Sequence, residues 1–301
     1  MPHSTVHVPV LPQEVIRWLD PRPGQVIVDG TLGGGGHTRL IAERLAPQGA
    51  DAPRSPEGSF VLALDRDPAA LAAAEQSLAG LPVKIAQANF CDLDQVLDEL
   101  GIAAVDSVLL DLGLSSDQLA DDSRGFSFDS SGELDLRFDP TEGEPAWRLL
   151  ARLKEKEIAD LIYELGEERY SRRIARRIAL ARTDKPVRTA ADLAALVRRS
   201  VPRSADRLDP ATRTFQALRI AANRELESLD LALQRLPERL KPGGRLAIIS
   251  FHSLEDRRVK EAFRSDPRLE NLTKKPITAS AEELHTNPRS RSAKLRVAQH
   301  H

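Results

Sequence analysis

The run Asp29-Gly30-Thr31-Leu32-Gly33-Gly34-Gly35-Gly36-His37-Thr38 follows the short apolar stretch Val26-Ile27-Val28 and precedes a helical pattern beginning near Arg39. That order predicts a strand, a glycine turn and a helix start. Gly33, Gly34, Gly35 and Gly36 carry no Cβ, so their backbone can take positive φ angles and let a ligand approach closely. A flexible glycine loop is the alternative, and the apolar strand before it and the helix after it argue against that.

Further apolar strands are predicted at Phe60 to Leu64, Val83 to Ala86, Ser107 to Leu110 and Leu246 to Ile249, with helical patterns between the earlier ones. Alternating strands and helices imply an α/β fold with a parallel sheet covered on both faces, and ligands then sit beyond the carboxyl ends of the strands. The glycine turn falls at that edge. Between Leu110 and Arg245 the chain is too long for one crossover helix, and Trp147 to Val201 reads as helices rich in Ala, Leu, Arg and Glu. We therefore expect a sheet domain in two parts, residues 1–120 and 212–301, around an inserted, mainly helical domain at 121–211. A helix from Thr214 to Leu240 should lead back to the sheet, with Lys241-Pro242-Gly243-Gly244 as a turn before the last strand. Residues Pro47 to Ser59 and Pro202 to Pro210 read as surface loops.

No apolar run approaches the length needed to cross a bilayer, and one cysteine, Cys91, permits no internal disulfide. A cytoplasmic protein is expected, with Cys91 as buried filler. Net charge is only −2, yet residues 1–147 hold 9 Lys/Arg against 24 Asp/Glu, while residues 148–224 hold 19 against 10. Residues 257–301 carry 11 basic residues against 5 acidic ones. Two basic regions could thus meet a polyanion, with solvated helix faces as the alternative.

Asp65 ends the second predicted strand, where a carboxylate can accept hydrogen bonds from both hydroxyls of a ribose. Asp67-Pro68 reads instead as a helix cap. Phe90, after the third strand, could stack on an adenine or fill the core. The fourth strand ends in Asp111-Leu112-Gly113-Leu114-Ser115-Ser116-Asp117-Gln118, an acid and two hydroxyls where substrate would meet cofactor. The fifth runs into Ser250-Phe251-His252-Ser253-Leu254-Glu255-Asp256. Neither His37 nor His252 has a ligand partner at helical or turn spacing, so no metal site is expected.

In order along the chain, these segments resemble a known family, the bacterial small-subunit ribosomal RNA methyltransferase H family, also called RsmH or MraW. Besides the turn, Asp65-Arg66-Asp67-Pro68 and the two strand ends above, the resemblance includes His7-Val8-Pro9-Val10-Leu11, Arg124-Gly125-Phe126-Ser127-Phe128, Leu134-Asp135-Leu136-Arg137, Thr214-Phe215-Gln216-Ala217-Leu218-Arg219 and Asn287-Pro288-Arg289-Ser290-Arg291-Ser292-Ala293-Lys294-Leu295-Arg296. It implies a Rossmann-like class I methyltransferase that uses S-adenosylmethionine to methylate the exocyclic N4 of a cytidine in the decoding region of 16S rRNA. By matching positions it implies that Gly35, Gly36, His37, Asp65, Phe90, Asp111 and Gln118 contact the methyl donor. Asp117 stands where the family usually has proline, and Pro47 to Ser59 is longer than its usual connection.

For such a transfer the expected catalytic residues are Asp111, His252 and Ser115, acting by orientation and by hydrogen bonds to the amine. Phe126, Phe128 and Phe251 are the rings available for base stacking. Arg172, Arg173, Arg176 and Arg177 fall on adjoining helical positions and could track RNA phosphates, with Arg213 and Arg219 extending that surface. The partner would be 16S rRNA in the small ribosomal subunit, with no membrane, and the chain a monomer or homodimer. Two other readings stand beside this one: a non-catalytic ribosome-assembly factor that binds S-adenosylmethionine and rRNA, and a nicotinamide-dependent dehydrogenase, which the missing third glycine at Thr38 disfavours.

Overall fold

A computed structural model describes residues 8–46, 58–202 and 209–301. In chain order the elements are α1 (Pro12–Leu19), β1 (Val26–Asp29), α2 (Gly36–Leu45), β2 (Phe60–Asp65), α3 (Pro68–Ser77), β3 (Val83–Gln87), α4 (Leu93–Glu99) and β4 (Val105–Asp111). Then come α5 (Ser116–Ala120), α6 (Ala146–Arg152), α7 (Glu155–Gly166), α8 (Ser171–Ala181), α9 (Ala190–Ser200) and α10 (Thr212–Asn223). The chain closes with α11 (Glu225–Arg235), β5 (Leu240–Ser250), α12 (Ser253–Ser265), β6 (Leu269–Asn271), α13 (Ala281–Thr286) and β7 (Lys294–His300). Contacts divide it into two compact units, residues 1–115 with 226–301 and residues 116–225. The sequence reading drew these divisions at 121 and 212.

In the first unit the strands form one sheet in the order β3-β2-β1-β4-β5-β7-β6. β1 to β5 pair in parallel, whereas β7 runs antiparallel between β5 and β6. The sheet is therefore mixed, which corrects the purely parallel expectation. β6 and β7 escaped notice because charged residues interrupt both; in β7 the arginine between buried Leu295 and Val297 is itself buried. Alternate residues of each strand feed opposite faces. On one face Val28, Leu62, Leu110 and Ile248 pack with Leu93, Leu97, Leu229, Val259 and Phe263. On the other, Ile27, Val61, Leu109 and Ile249 pack with Val15, Leu19, Ile41 and Leu45. Both faces being buried explains why the strands read as continuous apolar runs.

Two further expectations are corrected. The helix proposed from Thr214 to Leu240 is two helices, because Arg224 takes a left-handed φ of 53° and its N–H bonds to Ile220 as the cap of α10. Lys241 to Gly244 is no turn before the strand but an irregular stretch within β5: Leu240 already pairs with Val105, and pairing resumes at Arg245 opposite Ser107. Asp106 stabilises that stretch, since its Oδ2 accepts from Lys241 Nζ and from the Val26 N–H, each at 2.8 Å.

In the second unit, α7 packs against α8 and α10, with Ile158, Ile162, Ile174, Ile178, Phe215 and Leu218 buried. Gly166 lets α7 meet α10, since a Cβ there would strike the Arg213 carbonyl. The polar stretch before α6 is ordered by Arg124, whose Nη2 donates to the carbonyls of Arg137 and Phe138 at 2.6 Å. Residues Pro47 to Glu57, most of the expected loop there, and Arg203 to Leu208 lie outside the described residues, as does His7.

Candidate active site

The carboxyl edge of the sheet in the first unit is built from the ends of β1, β2, β4 and β5. Beyond β1 the backbone turns sharply. Gly30 donates to the Leu109 carbonyl at 2.9 Å, Leu32 to the Leu64 carbonyl at 2.8 Å and Gly35 to the Leu32 carbonyl at 2.7 Å. A Cβ at Gly30 would lie 2.5 Å from Leu110 Cδ2 and 3.0 Å from Phe90 Cβ, so only glycine fits between β4 and the loop after β3. Gly33 and Gly35 take φ angles of 47° and 76°, the left-handed region that side chains resist. α2 then starts at Gly36 with no side chain capping its first N–H groups, which leaves positive backbone ends at the turn.

Asp65, at the tip of β2, grips this turn. Its Oδ2 accepts from the Gly33 N–H at 2.7 Å and its Oδ1 from the Asp67 N–H at 2.9 Å. Burial pushes its carboxyl above the ordinary range, and these two N–H groups only partly oppose that. Asp67 caps α3 by accepting from the Ala69 N–H at 3.0 Å, as the sequence predicted. Phe90 opens a short 3₁₀ turn and packs half-buried against the core beside Gly30. Cys91 is buried, and burial followed by the Asp92 charge pushes its thiol up, so it stays inert.

Asp111 ends β4, and its N–H donates to Thr31 Oγ1 at 2.6 Å. One carboxylate oxygen, Oδ2, lies 3.6 Å from His37 Nε2. The other, Oδ1, is buried with no hydrogen-bond partner among the described residues. Behind them sits Asp29, 1% exposed, whose Oδ2 accepts from Thr38 Oγ1 at 2.6 Å and whose Oδ1 accepts from the Thr31 N–H at 3.1 Å. Burial raises the Asp29 carboxyl, against the hydrogen bond from Thr38. For His37, burial alone would lower the imidazole, but the adjoining Asp111 carboxylate, with Asp29 and the Val10 carbonyl, outweighs it and holds His37 above its ordinary value. The weight of the sequence reading lay on the glycines, so it missed Asp29, Thr31 and Thr38; the acid directly before the glycine turn was the available signal.

Ser115 is brought to the same place, since a Cβ on Gly33 would lie 3.4 Å from Ser115 Cβ. Arg289 Nη2 donates to the Leu114 carbonyl at 2.6 Å and so steadies this segment, a role seen in the sequence only as part of a motif. Phe251 packs over Gly113. His252 stands at the N-cap position of α12, with Nε2 3.0 Å from Glu255 Oε1 and only 9% of its side chain exposed. Glu255 Oε2 in turn accepts from the Phe251 N–H at 2.8 Å.

Gln118 lies buried on α5 in the second unit. Arg172, Arg173, Arg176 and Arg177 all stand exposed on α8, with Ile174, Ala175 and Ile178 on its buried side. Arg213 is exposed on α10, its Nη1 donating to the Glu167 carbonyl at 3.2 Å. Arg219 does not join that surface: it is 13% exposed and forms a two-pronged pair with Glu225 at 2.8 and 2.9 Å. Of the aromatic candidates, Phe126 is buried and stacked on Phe138 at 6.1 Å, and Phe128 meets the edge of Phe215 at 4.9 Å. Nor is the basic C-terminal region all free for a polyanion, since Arg296 and Lys294 both bind Asp256.

Six strands running one way with β7 reversed among them, a glycine turn after β1 and acids at the tips of β2 and β4 define a Rossmann-like class I methyltransferase. The sequence model of the MraW methylase family matches residues 4–301. A protein of Rhodopirellula baltica called ribosomal RNA small subunit methyltransferase H is 53% identical, over 98% of this chain and 91% of that one. Proteins of the same name from a Cyanothece species and from Pelobacter propionicus are 51% and 47% identical, over 98% and 97% of this chain and 94% and 98% of theirs. The chain belongs to the MraW methylase family.

Proposed function

We propose that this protein methylates the exocyclic N4 of a cytidine in the decoding region of 16S rRNA, with S-adenosylmethionine as donor. The observation that carries the reading is the carboxylate of Asp111 at the end of a central strand, beside a glycine turn that only side-chain-free backbone can form. The residues fit that donor. Backbone at Gly33 to Gly36 admits its methionine end, the carboxylate of Asp65 accepts from its ribose, and Phe90 lies against its base. Bound there, S-adenosylmethionine supplies an electrophilic methyl group on a positively charged sulfur.

The chain's own contribution is positional. The nitrogen of cytidine N4 is a weak nucleophile because its lone pair is delocalised into the ring. The Asp111 carboxylate accepts a hydrogen bond from the amine, favours its tetrahedral form and stabilises the positive charge that nitrogen gains on attack. Ser115, against Gly33, borders the same space. The exposed arginines of α8 hold RNA phosphates: Arg172 with Arg176, and Arg173 with Arg177, stand one helical turn apart, and none forms an ion pair among the described residues. The helical unit as a whole acts as the substrate-recognition domain.

Purified protein, labelled donor and small ribosomal subunits test this directly. Digestion of the product should yield N4-methylcytidine from one position, and Asp111→Asn should lower the transfer rate about 100- to 10,000-fold. Donor uptake with no transfer under any subunit preparation would sink the enzyme reading and leave the assembly factor.

A further inference from the structure

Trp147, on the first turn of α6 in the helical unit, has two arginines over its ring. The guanidinium carbon of Arg188 lies 4.2 Å from the ring centroid and that of Arg148 lies 5.2 Å from it. Both arginines are exposed, while the indole between them is half-buried. Backbone holds the group together across forty residues of sequence. The Arg188 carbonyl accepts from the Leu134 N–H at 2.7 Å, the Leu134 carbonyl accepts from the Trp147 N–H at 2.9 Å, and Leu134 itself is fully buried.

A guanidinium over an aromatic ring is drawn to the ring's negative face and keeps N–H groups at its edge for an outside acceptor. Part of the freedom an arginine side chain would lose on gripping a phosphate is thus already lost. Nearby acids leave these two cations largely unmatched. Glu133 Oε1 approaches Arg188 Nη2 only to 3.9 Å, with both side chains more than half exposed, and Arg148 has no ion pair among the described residues. Arg152 on the same helix, by contrast, is engaged by Glu144 at 2.8 Å.

This patch is separate from the arginine face of α8. Arg182, at the end of α8, donates from Nη1 to the Ala151 carbonyl of α6 at 2.9 Å, and it follows Arg173 by about two and a half helical turns, which puts it on the opposite side. α6 therefore meets α8 behind its exposed arginines.

We propose that Trp147, Arg148 and Arg188 form a second RNA-contacting surface, which grips phosphates of an rRNA strand other than the one held by α8. The identity of that RNA rests on the functional reading above; the choice of partner rests on charge, since weakly matched cations on a frame the fold holds still suit a polyanion. A folded RNA presents several strands at once, so two basic patches facing different ways respond to its shape.

Binding of the full-length protein to purified small ribosomal subunits, measured from low to moderate salt, tests this. Arg148→Gln and Arg188→Gln should each flatten the log–log slope by about 1, and each effect should add to that of Arg176→Gln, as contacts to separate phosphates do. Arg152→Gln, already engaged by Glu144, should leave the slope as it is. Trp147→Leu keeps both charges and should lower affinity about two- to tenfold while unfolding stays cooperative. Ala151→Cys puts a thiol on an exposed position one turn beyond Trp147, and the native Cys91 is buried, so a photo-crosslinker placed there should join to 16S rRNA. Wild-type slopes in both Arg148→Gln and Arg188→Gln overturn the inference, as does crosslinking to a ribosomal protein in place of rRNA. A wild-type protein that binds subunits but transfers no methyl group would instead overturn the functional reading, and the slopes would still decide this one.

Discussion

At the scale of single residues, the glycine turn works by what it lacks. Gly35 has a φ of 76° and its missing Cβ would sit 3.4 Å from Leu78 Cδ1, so valine there adds backbone strain of about 1–2 kcal/mol. Its branched side chain would also press on buried Leu78 and push the turn out of place. Gly35→Val should abolish donor uptake in calorimetry while thermal unfolding stays cooperative. A variant that binds as tightly as wild type would remove the turn from the site. Asp65→Ala acts differently, for it frees both the Gly33 and Asp67 N–H groups as well as any ribose partner. We expect donor affinity to fall about tenfold or more, since a hydrogen bond to a charged group contributes about 1.5–3 kcal/mol. The glycines and Asp65 were legible in the sequence because their chemistry is local. The surroundings of Asp111 were not, since they depend on where His37 and Thr31 stand after folding.

Among the elements, β7 is the one whose placement chemistry most needs explaining, because a strand carrying Lys294 and Arg296 enters the sheet beside β5. Asp256 on α12 resolves it, accepting from Arg296 Nε at 2.7 Å and from Lys294 Nζ at 3.3 Å. With Arg296 only 5% exposed, Asp256→Ala leaves a buried cation uncompensated and should destabilise the fold by about 3–5 kcal/mol in denaturant titration. Burial pushes the Asp256 carboxyl up, but Arg296 and Lys294 outweigh burial and hold it below its ordinary 3.8. Its contribution is therefore complete above pH 3.8 and is lost as pH falls through the depressed folded value. The acid limb of a stability profile should flatten in Asp256→Asn, and an unchanged limb would place the sensitivity elsewhere. Reading β7 from sequence failed for the same reason that Asp256 matters, since a buried arginine looks like a surface one until its partner is known.

On the scale of the whole molecule, acidic and basic regions are segregated along the chain, and the exposed arginines of α8 give the basic part an outward face. If each neutralises one phosphate, subunit affinity should fall steeply with salt, and each arginine replaced by glutamine should flatten the log–log slope by about 1. Arg172→Gln with Arg176→Gln measured between low and moderate salt checks this, and Arg219→Gln, which breaks a pair with Glu225 instead, should leave the slope unchanged. An equal effect from both would mean general destabilisation rather than phosphate contact. Alternation of apolar strands with helices, the helical insertion and the glycine turn were determined by the sequence alone, because periodicity and the conformational freedom of glycine act over a few residues. Tertiary structure alone decided that β7 runs backward beside β5, that His252 sits against Glu255 at the start of α12, that Arg219 turns inward and that Asp111 comes to lie beside His37. Each of these depends on partners far away in the chain, and the energy of a buried charge or hydrogen bond is set by what surrounds it once water has been excluded.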